Sequence, residues 1–174
     1  MAVDLLESFT VQANLLAADV VVTTLAELSS SLTELLRPEA GASVAVSDEL
    51  AGYLPELTSL AAGNGAKPDI AITFGRLLVA ATGSVLLAET TWADRVLRCT
   101  AGHHVAVTPA ESIVPTMADA AGPLRETISS GRRYATFVSG PSRTGDIEQV
   151  LSIGAHGPEK LTIVAVSGWK IPHD

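Results

Sequence analysis

The chain has 174 residues, of which 47% are hydrophobic, as expected for one globular domain with a buried core. It carries 11 basic and 19 acidic side chains, a formal net charge of −8, and its largest basic cluster, Arg132–Arg133, is too small to hold a nucleic-acid backbone. The longest apolar stretch, residues 77–88, is interrupted by polar residues and is shorter than the ~20 residues of a membrane-spanning helix. We therefore expect neither nucleic-acid binding nor membrane insertion.

Cysteine and histidine usage limits the redox and metal chemistry of the chain. Its single cysteine, Cys99, cannot form an internal disulfide, and the acidic residues Asp4 and Glu7 stand where a secretion signal would be basic. Cys99, His103 and His104 are too few for a metal site, and His103 and His104 cannot both face one side of a strand. We expect a cytoplasmic protein without a metal or a resident cofactor.

Hydrophobic periodicity and turn residues predict alternating helices and strands. Thr24 and Glu27 form a capping box, which predicts a helix from about Leu25, and Pro38 ends that helix because it disfavours helical geometry at the preceding residue. The other predicted elements are, in chain order, a helix to about Ala18, strands at 20–22 and 43–46, a Pro55-interrupted helix at 48–60, strands at 69–73, 85–88 and 104–107, helices at 112–121 and up to about Gly131, and strands at 134–138 and 161–166.

Strands of nearly continuous apolar character, separated by amphipathic helices, are typical of a parallel sheet that is covered on both faces. The predicted fold class is therefore α/β, a three-layer αβα arrangement around an open, mostly parallel sheet. No repeat or linker divides the chain, so we expect one domain over residues 1–174 with a short tail after about Gly168. On such sheets, ligands bind beyond the carboxyl ends of the strands.

The loop after the predicted strand ending at Val138 has the sharpest local pattern, with two glycines, three hydroxyl groups and an arginine. Backbone N–H groups next to glycine, hydroxyl groups and a guanidinium can together hold an anion. Spacing alone leaves open that the loop is a simple turn. The candidate ligand-binding residues here are Ser139, Gly140, Ser142, Arg143 and Thr144.

Two further segments are candidates for the same site. The turn Thr82-Gly83-Ser84 joins two apolar segments and leaves backbone donors at the end of a sheet, although most such turns bind nothing. Three residues could transfer a proton near a bound anion, and they are Asp146, Glu148 and His156. Solvated or capping carboxylates, and a histidine bonded to backbone carbonyls, are the structural alternatives for these three.

Three segments resemble a known family. Residues 69–73 and 78–84 resemble its Ile-Thr stretch leading to Ile-Ala-Glu-Thr-Gly-Thr, and residues 104–107 resemble its His-Ile-x-Val strand. Residues 137–148, with 154–158, are similar to its long signature Ser-Gly-Pro-Ser-x-Thr-x-Asp-Ile-Glu followed by Gly-x-His-Gly-Pro. On these motifs the chain resembles the lactate utilization protein C family, whose defining unit is the LUD domain.

The resemblance implies a fold akin to ribose-phosphate isomerases, glucosamine-phosphate isomerases and CoA transferases. It also implies an accessory role beside iron–sulfur partner proteins that oxidise L-lactate to pyruvate. The chain departs from the family where Ala81 replaces a glutamate and Ser84 replaces a threonine. The loss of that carboxylate removes one group that could act as an acid, a base or a cation ligand.

Three functions are compatible with these residues. The first is an accessory or regulatory subunit that binds a small anionic metabolite or a partner at the predicted cleft. The second is a stand-alone isomerase or acyl/CoA-transferase-like enzyme acting on an anionic metabolite, which fold likeness alone does not establish. The third is a degenerate member that has become an interaction module, which Ala81 favours.

Overall fold

The computed structural model describes residues 2–63, 67–132, 134–145, 151–153 and 157–170. Its α-helices are α1 (Ala2–Leu15), α2 (Leu28–Leu36), α3 (Asp48–Tyr53), α4 (Trp92–Thr100) and α5 (Ala121–Ser129). Its strands are β1 (Ala18–Thr24), β2 (Val44–Val46), β3 (Ile70–Phe74), β4 (Leu77–Val79), β5 (Ser84–Leu87), β6 (His103–Pro109), β7 (Ile113–Val114), β8 (Thr136–Val138), β9 (Arg143–Gly145), β10 (Leu151–Ile153) and β11 (Lys160–Ser167).

The main sheet is parallel throughout the described part of the chain. Its five strands lie in the order β1-β11-β6-β3-β2, and each neighbouring pair runs in the same direction. The register places Ile163 of β11 between Val20 of β1 and Ala106 of β6. The predicted α/β class with a mostly parallel sheet is confirmed.

Both faces of the main sheet are covered, as a parallel sheet requires. On one face, Leu28 and Leu32 of α2 and Leu50 of α3 pack on alternate strand residues such as Ile72 and Val105. On the other face, Phe9 and Ala13 of α1 pack with Leu78 and Val85 of a second sheet against the intervening strand residues. Successive side chains along each strand therefore point into two different hydrophobic cores, one on each face of the main sheet. The layers of the predicted αβα fold enclose these two cores.

A second sheet, of mixed direction, was not predicted as a separate unit. Its described strands lie in the order β7-β4-β5-β8, with β4 and β5 antiparallel and β5 and β8 antiparallel. The predicted strands at 85–88 and 134–138 thus belong to this sheet and not to the main one. Each strand has only two to four residues, so its sequence carries too little periodicity to show which sheet it joins.

The helix predicted over residues 112–121 is wrong. Ile113–Val114 forms β7, turns follow, and the helix begins only at Ala121. Pro123 falls in the first turn of α5, where its missing N–H has no intrahelical partner to lose, so the pair Gly122-Pro123 does not break the helix.

Other helix boundaries shift by a few residues. The first helix ends at Leu15 instead of Ala18, because Ala17 has a φ of 62°, which is incompatible with a right-handed helix. The predicted capping box does not form, because Thr24 Oγ1 donates to the Glu27 carboxylate at 3.0 Å and neither side chain caps the helix. Helix α2 starts at Leu28 instead of Leu25, with Glu27 as its N-cap residue. Among the described residues, no helix combines the length and the apolar character that a membrane span requires.

Candidate functional site

The two predicted ligand loops meet in space. Thr82 Oγ1 lies 2.7 Å from Ser84 Oγ, which lies 2.7 Å from Ser139 Oγ. The antiparallel register of β5 and β8 pairs Val85 with Val138, which places the neighbouring residues Ser84 and Ser139 side by side. Strand pairing therefore joins residues 55 positions apart into one chain of hydroxyl groups.

Helix α1 closes over both loops at glycines. A Cβ atom on Gly83, whose φ is +56°, would lie 2.4 Å from the backbone nitrogen of Ala13. A Cβ atom on Gly140 would lie 2.5 Å from the carbonyl oxygen of Leu16. Both contacts are shorter than any side chain tolerates, so the close approach of α1 to Gly83 and of Leu16, just after α1, to Gly140 requires glycine at these positions.

The loop after β8 lies at the amino edge of the main sheet. Arg143 Nη2 donates to the Leu16 carbonyl at 2.9 Å, just before β1 begins, and Ser142 N donates to the Pro158 carbonyl at 2.8 Å, just before β11 begins. Ligands of open parallel sheets usually bind at the carboxyl ends of the strands, so the sequence predicts a site at the opposite edge. The loop does follow the carboxyl end of its own strand, but that strand belongs to the second sheet.

The three candidates for proton transfer, Asp146, Glu148 and His156, lie outside the described residues. Residues 171–174 of the predicted tail lie outside them too, and Thr144 is the central residue of β9. The roles of these residues stay predictions.

A cavity of about 200 Å³ adjoins the Ser139–Ser142 loop, between the end of α4 and the first residues of β6 and β11. Its polar lining comes from Arg98, Cys99, His104 and Ser142. The rest of its lining is apolar or glycine, and consists of Val138, Gly140, Gly157, Pro158 and Leu161. We call this space the Arg98 cavity.

Arg98 is the residue of this cavity that the sequence motifs did not reveal. Its side chain is 9% exposed, and its Nε donates to the carboxylate of Glu89, whose side chain is 2% exposed. Its Nη1 reaches the sulfur of Cys99 at 3.6 Å, a weak acceptor, and its Nη2 has no hydrogen-bond partner in the described part of the chain. The buried ion pair thus fixes a guanidinium that retains unused donors.

Polar contacts tie the start of α4 to α3. The Asp94 carboxylate accepts from the backbone N–H groups of Asp48 and Glu49 at 2.9 and 3.3 Å and so caps α3. Glu49 Oε1 in turn accepts from Arg76 at 2.5 Å and from Arg132 at 2.8 Å. Asp94 thus joins the first turn of α4 to α3, and Arg98, one turn later, lines the cavity.

One sequence signal for α4 was available. Thr91 Oγ1 accepts from the Asp94 N–H at 3.0 Å, so the pattern Thr91-x-x-Asp94 is a helix start. Arg98 lies four residues after Asp94, on the same helix face. The sequence around Asp94 and Arg98 carries no signal that this charged helix face is buried.

His104 is the second polar group of the cavity. It is fully buried, and its Nε2 lies 2.8 Å from Thr73 Oγ1. Burial lowers the pKa of His104 to about 3, with smaller contributions from the charges of Arg98 and His103. His104 is therefore neutral at physiological pH and can offer hydrogen bonds but no charge.

His103 points to the opposite face of β6, as predicted for neighbouring strand residues. Its Nδ1 lies 2.9 Å from the Glu39 carboxylate and its Nε2 lies 2.9 Å from Thr162 Oγ1. Burial lowers the pKa of His103, and the Glu39 carboxylate partly offsets this effect. Within the described ranges, no three histidine, cysteine, aspartate or glutamate side chains converge as a metal site requires.

A larger cavity, of about 540 Å³, lies at the amino ends of β3, β6 and β11. Four of its polar side chains, Glu39, Asp69, His103 and Lys160, bond to one another or to neighbouring residues. Lys160 and His103 both contact Glu39, and the Asp69 carboxylate accepts from the N–H and the hydroxyl of Ser43 at 2.7 Å. These hydrogen bonds lower the pKa of Asp69, so its carboxylate is a structural link between strands.

Comparisons with known proteins agree with the sequence motifs. Residues 63–166 match the LUD domain family. A lactate utilization protein C from Geobacillus thermodenitrificans is 28% identical over 94% of this chain and 79% of its own length, and one from Bacillus subtilis is 32% identical over 57% of this chain and 42% of its own length. The crystal structure of a DUF162 family protein from Deinococcus radiodurans superposes with a TM-score of 0.69 at 18% identity, covering 97% of this chain and 99% of that one, and so shows the same fold. The chain belongs to the LUD domain family.

Proposed function

We propose that this chain is a non-redox accessory or regulatory component of a lactate utilization system, and that it binds a small anionic ligand in the Arg98 cavity. Relatives named lactate utilization protein C support the first part, since two of them align with 94% of the chain. The buried guanidinium of Arg98, which lines a cavity beside the signature loop, carries the second part. Guanidinium groups recognise carboxylates and phosphates through paired N–H donors.

Redox chemistry belongs to iron–sulfur partner proteins in this proposal. These 174 residues contain one cysteine, Cys99, whereas an iron–sulfur cluster is normally held by four thiolates. The chain therefore acts beside its partners and ties their assembly or activity to the concentration of an anionic metabolite.

Thermal unfolding of the purified protein tests the ligand part. The probes are L-lactate, pyruvate, inorganic phosphate, a sugar phosphate and CoA, and each probe that shifts the melting temperature is then titrated by calorimetry. A ligand at 100 times its dissociation constant stabilises the folded state by about 2.7 kcal/mol, which corresponds to roughly 5–10 °C for a domain of this size. The absence of both a shift and a saturable heat with every probe would overturn the anion site and favour an interaction module.

Reconstitution tests the accessory part. The purified chain is mixed at micromolar concentration with the iron–sulfur proteins of the lactate utilization system of the same organism and analysed by size-exclusion chromatography. We expect a shared elution peak and an increased rate of lactate oxidation. Separate peaks with an unchanged rate would contradict this role while leaving the anion site intact.

A further inference from the structure

We infer that Trp92, Arg95 and Tyr134 form a docking surface for an acidic segment of a partner protein, which places a carboxylate on Arg95 and apolar side chains on the two rings. We call these three residues the Trp92 surface. None of them lines the Arg98 cavity, so the inference goes beyond the small-anion site of the proposed function and does not rest on it.

The Trp92 surface exposes large aromatic side chains in a chain that has few of them, since aromatic residues make up 4% of the sequence. Trp92 is 72% exposed and Tyr134 is 42% exposed, whereas the other tryptophan, Trp169, is buried against Phe74. Leaving large apolar rings in water costs free energy, which a covering partner recovers. Tryptophan, tyrosine and arginine are also the residue types that carry most of the binding energy of protein interfaces.

Arg95 joins the two rings of this surface. Its Cζ lies 4.0 Å from the centroid of the Tyr134 ring and 5.5 Å from the centroid of the Trp92 ring, and both distances are within the range of cation–π attraction. The rings restrain the guanidinium, so it loses little conformational freedom when a partner binds.

The carboxylates nearest to Arg95 along the chain and in the adjoining cluster are already used by other groups. Glu89 and Glu49 pair with other arginines, and Asp94 accepts from backbone N–H groups of α3. In the part of the chain that the structure describes, Arg95 has no ion pair and its Nε is buried without a hydrogen-bond partner. A half-buried cation that lacks a counter-charge is complementary to a carboxylate on a partner.

The charge of the chain favours a protein segment over a nucleic acid or an anionic membrane. The net charge of −8 repels a polyanion, and the Trp92 surface offers one guanidinium where a phosphate backbone needs several cations. A segment with one carboxylate between apolar side chains needs only this one guanidinium and the two rings beside it.

Peptide display tests this chemistry without assuming a partner. A phage library of random 12-residue peptides is selected in parallel on the immobilised wild-type protein, on Arg95→Gln and on Trp92→Ser. We expect the wild-type protein to enrich peptides with aspartate or glutamate beside apolar residues at least tenfold over both variants. Enrichment of basic or uncharged peptides, equal enrichment on the three proteins, or no enrichment at all would overturn the inference and leave the proposed function standing.

The fluorescence of Trp92 locates the enriched peptide on the surface. Trp169 is only 5% exposed, so acrylamide quenches mainly Trp92, and a saturating synthetic peptide should reduce that quenching at least twofold. Unchanged quenching at saturation would place the peptide elsewhere and overturn the inference.

Paired substitutions test the contact between Arg95 and the carboxylate. Arg95→Gln, or replacement of the acidic residue of the peptide by its amide, should each raise the dissociation constant at least tenfold, and the two changes together should add little more. Arg125→Gln removes the same charge from an exposed position of α5 and should change the constant less than twofold. Independent effects of the two changes would overturn the contact. Trp92→Ser alters a mostly exposed side chain and so remains informative if Arg95→Gln does not fold.

Discussion

Protonation of His104 should make the stability of the fold depend on pH between pH 7 and pH 5. In the folded protein its pKa is about 3, because the ring is buried beside Arg98, whereas in the unfolded chain it is 6.5. The unfolded state therefore binds more protons below pH 6.5, and stability falls with pH until about pH 3. Each pH unit within that window costs about 1.4 kcal/mol, so the drop from pH 7 to pH 5 costs about 2 kcal/mol.

Urea unfolding at pH 7, 6 and 5 measures this loss, with His104→Gln as the comparison. Glutamine can still bond to Thr73 but does not titrate, and every other titrating group is common to both proteins. The wild-type protein should lose about 2 kcal/mol more than the variant over this range. Parallel losses in the two proteins would refute the argument that His104 is held neutral by burial.

Further substitutions test the packing around the site, each by urea unfolding at pH 7. Gly83→Ala should destabilise the fold by about 3 kcal/mol or more, because φ is +56° and the new Cβ would overlap the α1 backbone. Gly52→Ala, whose new Cβ would meet nothing within 4 Å, should be neutral or stabilising. Similar effects of the two substitutions would contradict the close approach of α1 to Gly83. Glu49→Gln should cost about 3–5 kcal/mol because it leaves Arg76 and Arg132 buried without a counter-charge, whereas Glu34→Gln at the exposed pair with Arg37 should cost less than about 1 kcal/mol. Leu32→Ala should cost about 2–5 kcal/mol, and a loss below 1 kcal/mol would mean that α2 does not cover the sheet as described.

The loop of the signature motif lines one wall of the Arg98 cavity. Ser139, Gly140 and Ser142 were predicted from the loop pattern alone, and Gly140 and Ser142 line the Arg98 cavity while Ser139 joins the hydroxyl chain. Such a loop can be predicted from the sequence because glycine and hydroxyl residues after a strand favour turn conformations. Its ligand-binding role is still a prediction.

The opposite wall of the cavity, which contains Arg98, could not be predicted from the sequence. Arg98 and Glu89 are nine residues apart, and each alone resembles a surface charge. They come together only where α4 docks against α3 through Asp94 and where Val138 of the second sheet lines the same cavity as Arg98. A charge is buried only when distant elements enclose and pair it, and neither condition leaves a periodic signal.

The sequence by itself determined the strands of the main sheet, the αβα class and the family, because apolar strands and a long motif are local properties. Only the tertiary structure shows which strands form the second sheet and where the signature loop lies. It also shows that close backbone contacts require glycine at Gly83 and Gly140. Strand pairing over 55 residues brought Ser84 to Ser139 and carried that loop to the amino edge of the main sheet. Pairing partners are selected by packing between elements that are distant in the chain, so only the folded protein brings Arg98, His104 and Ser142 around one cavity.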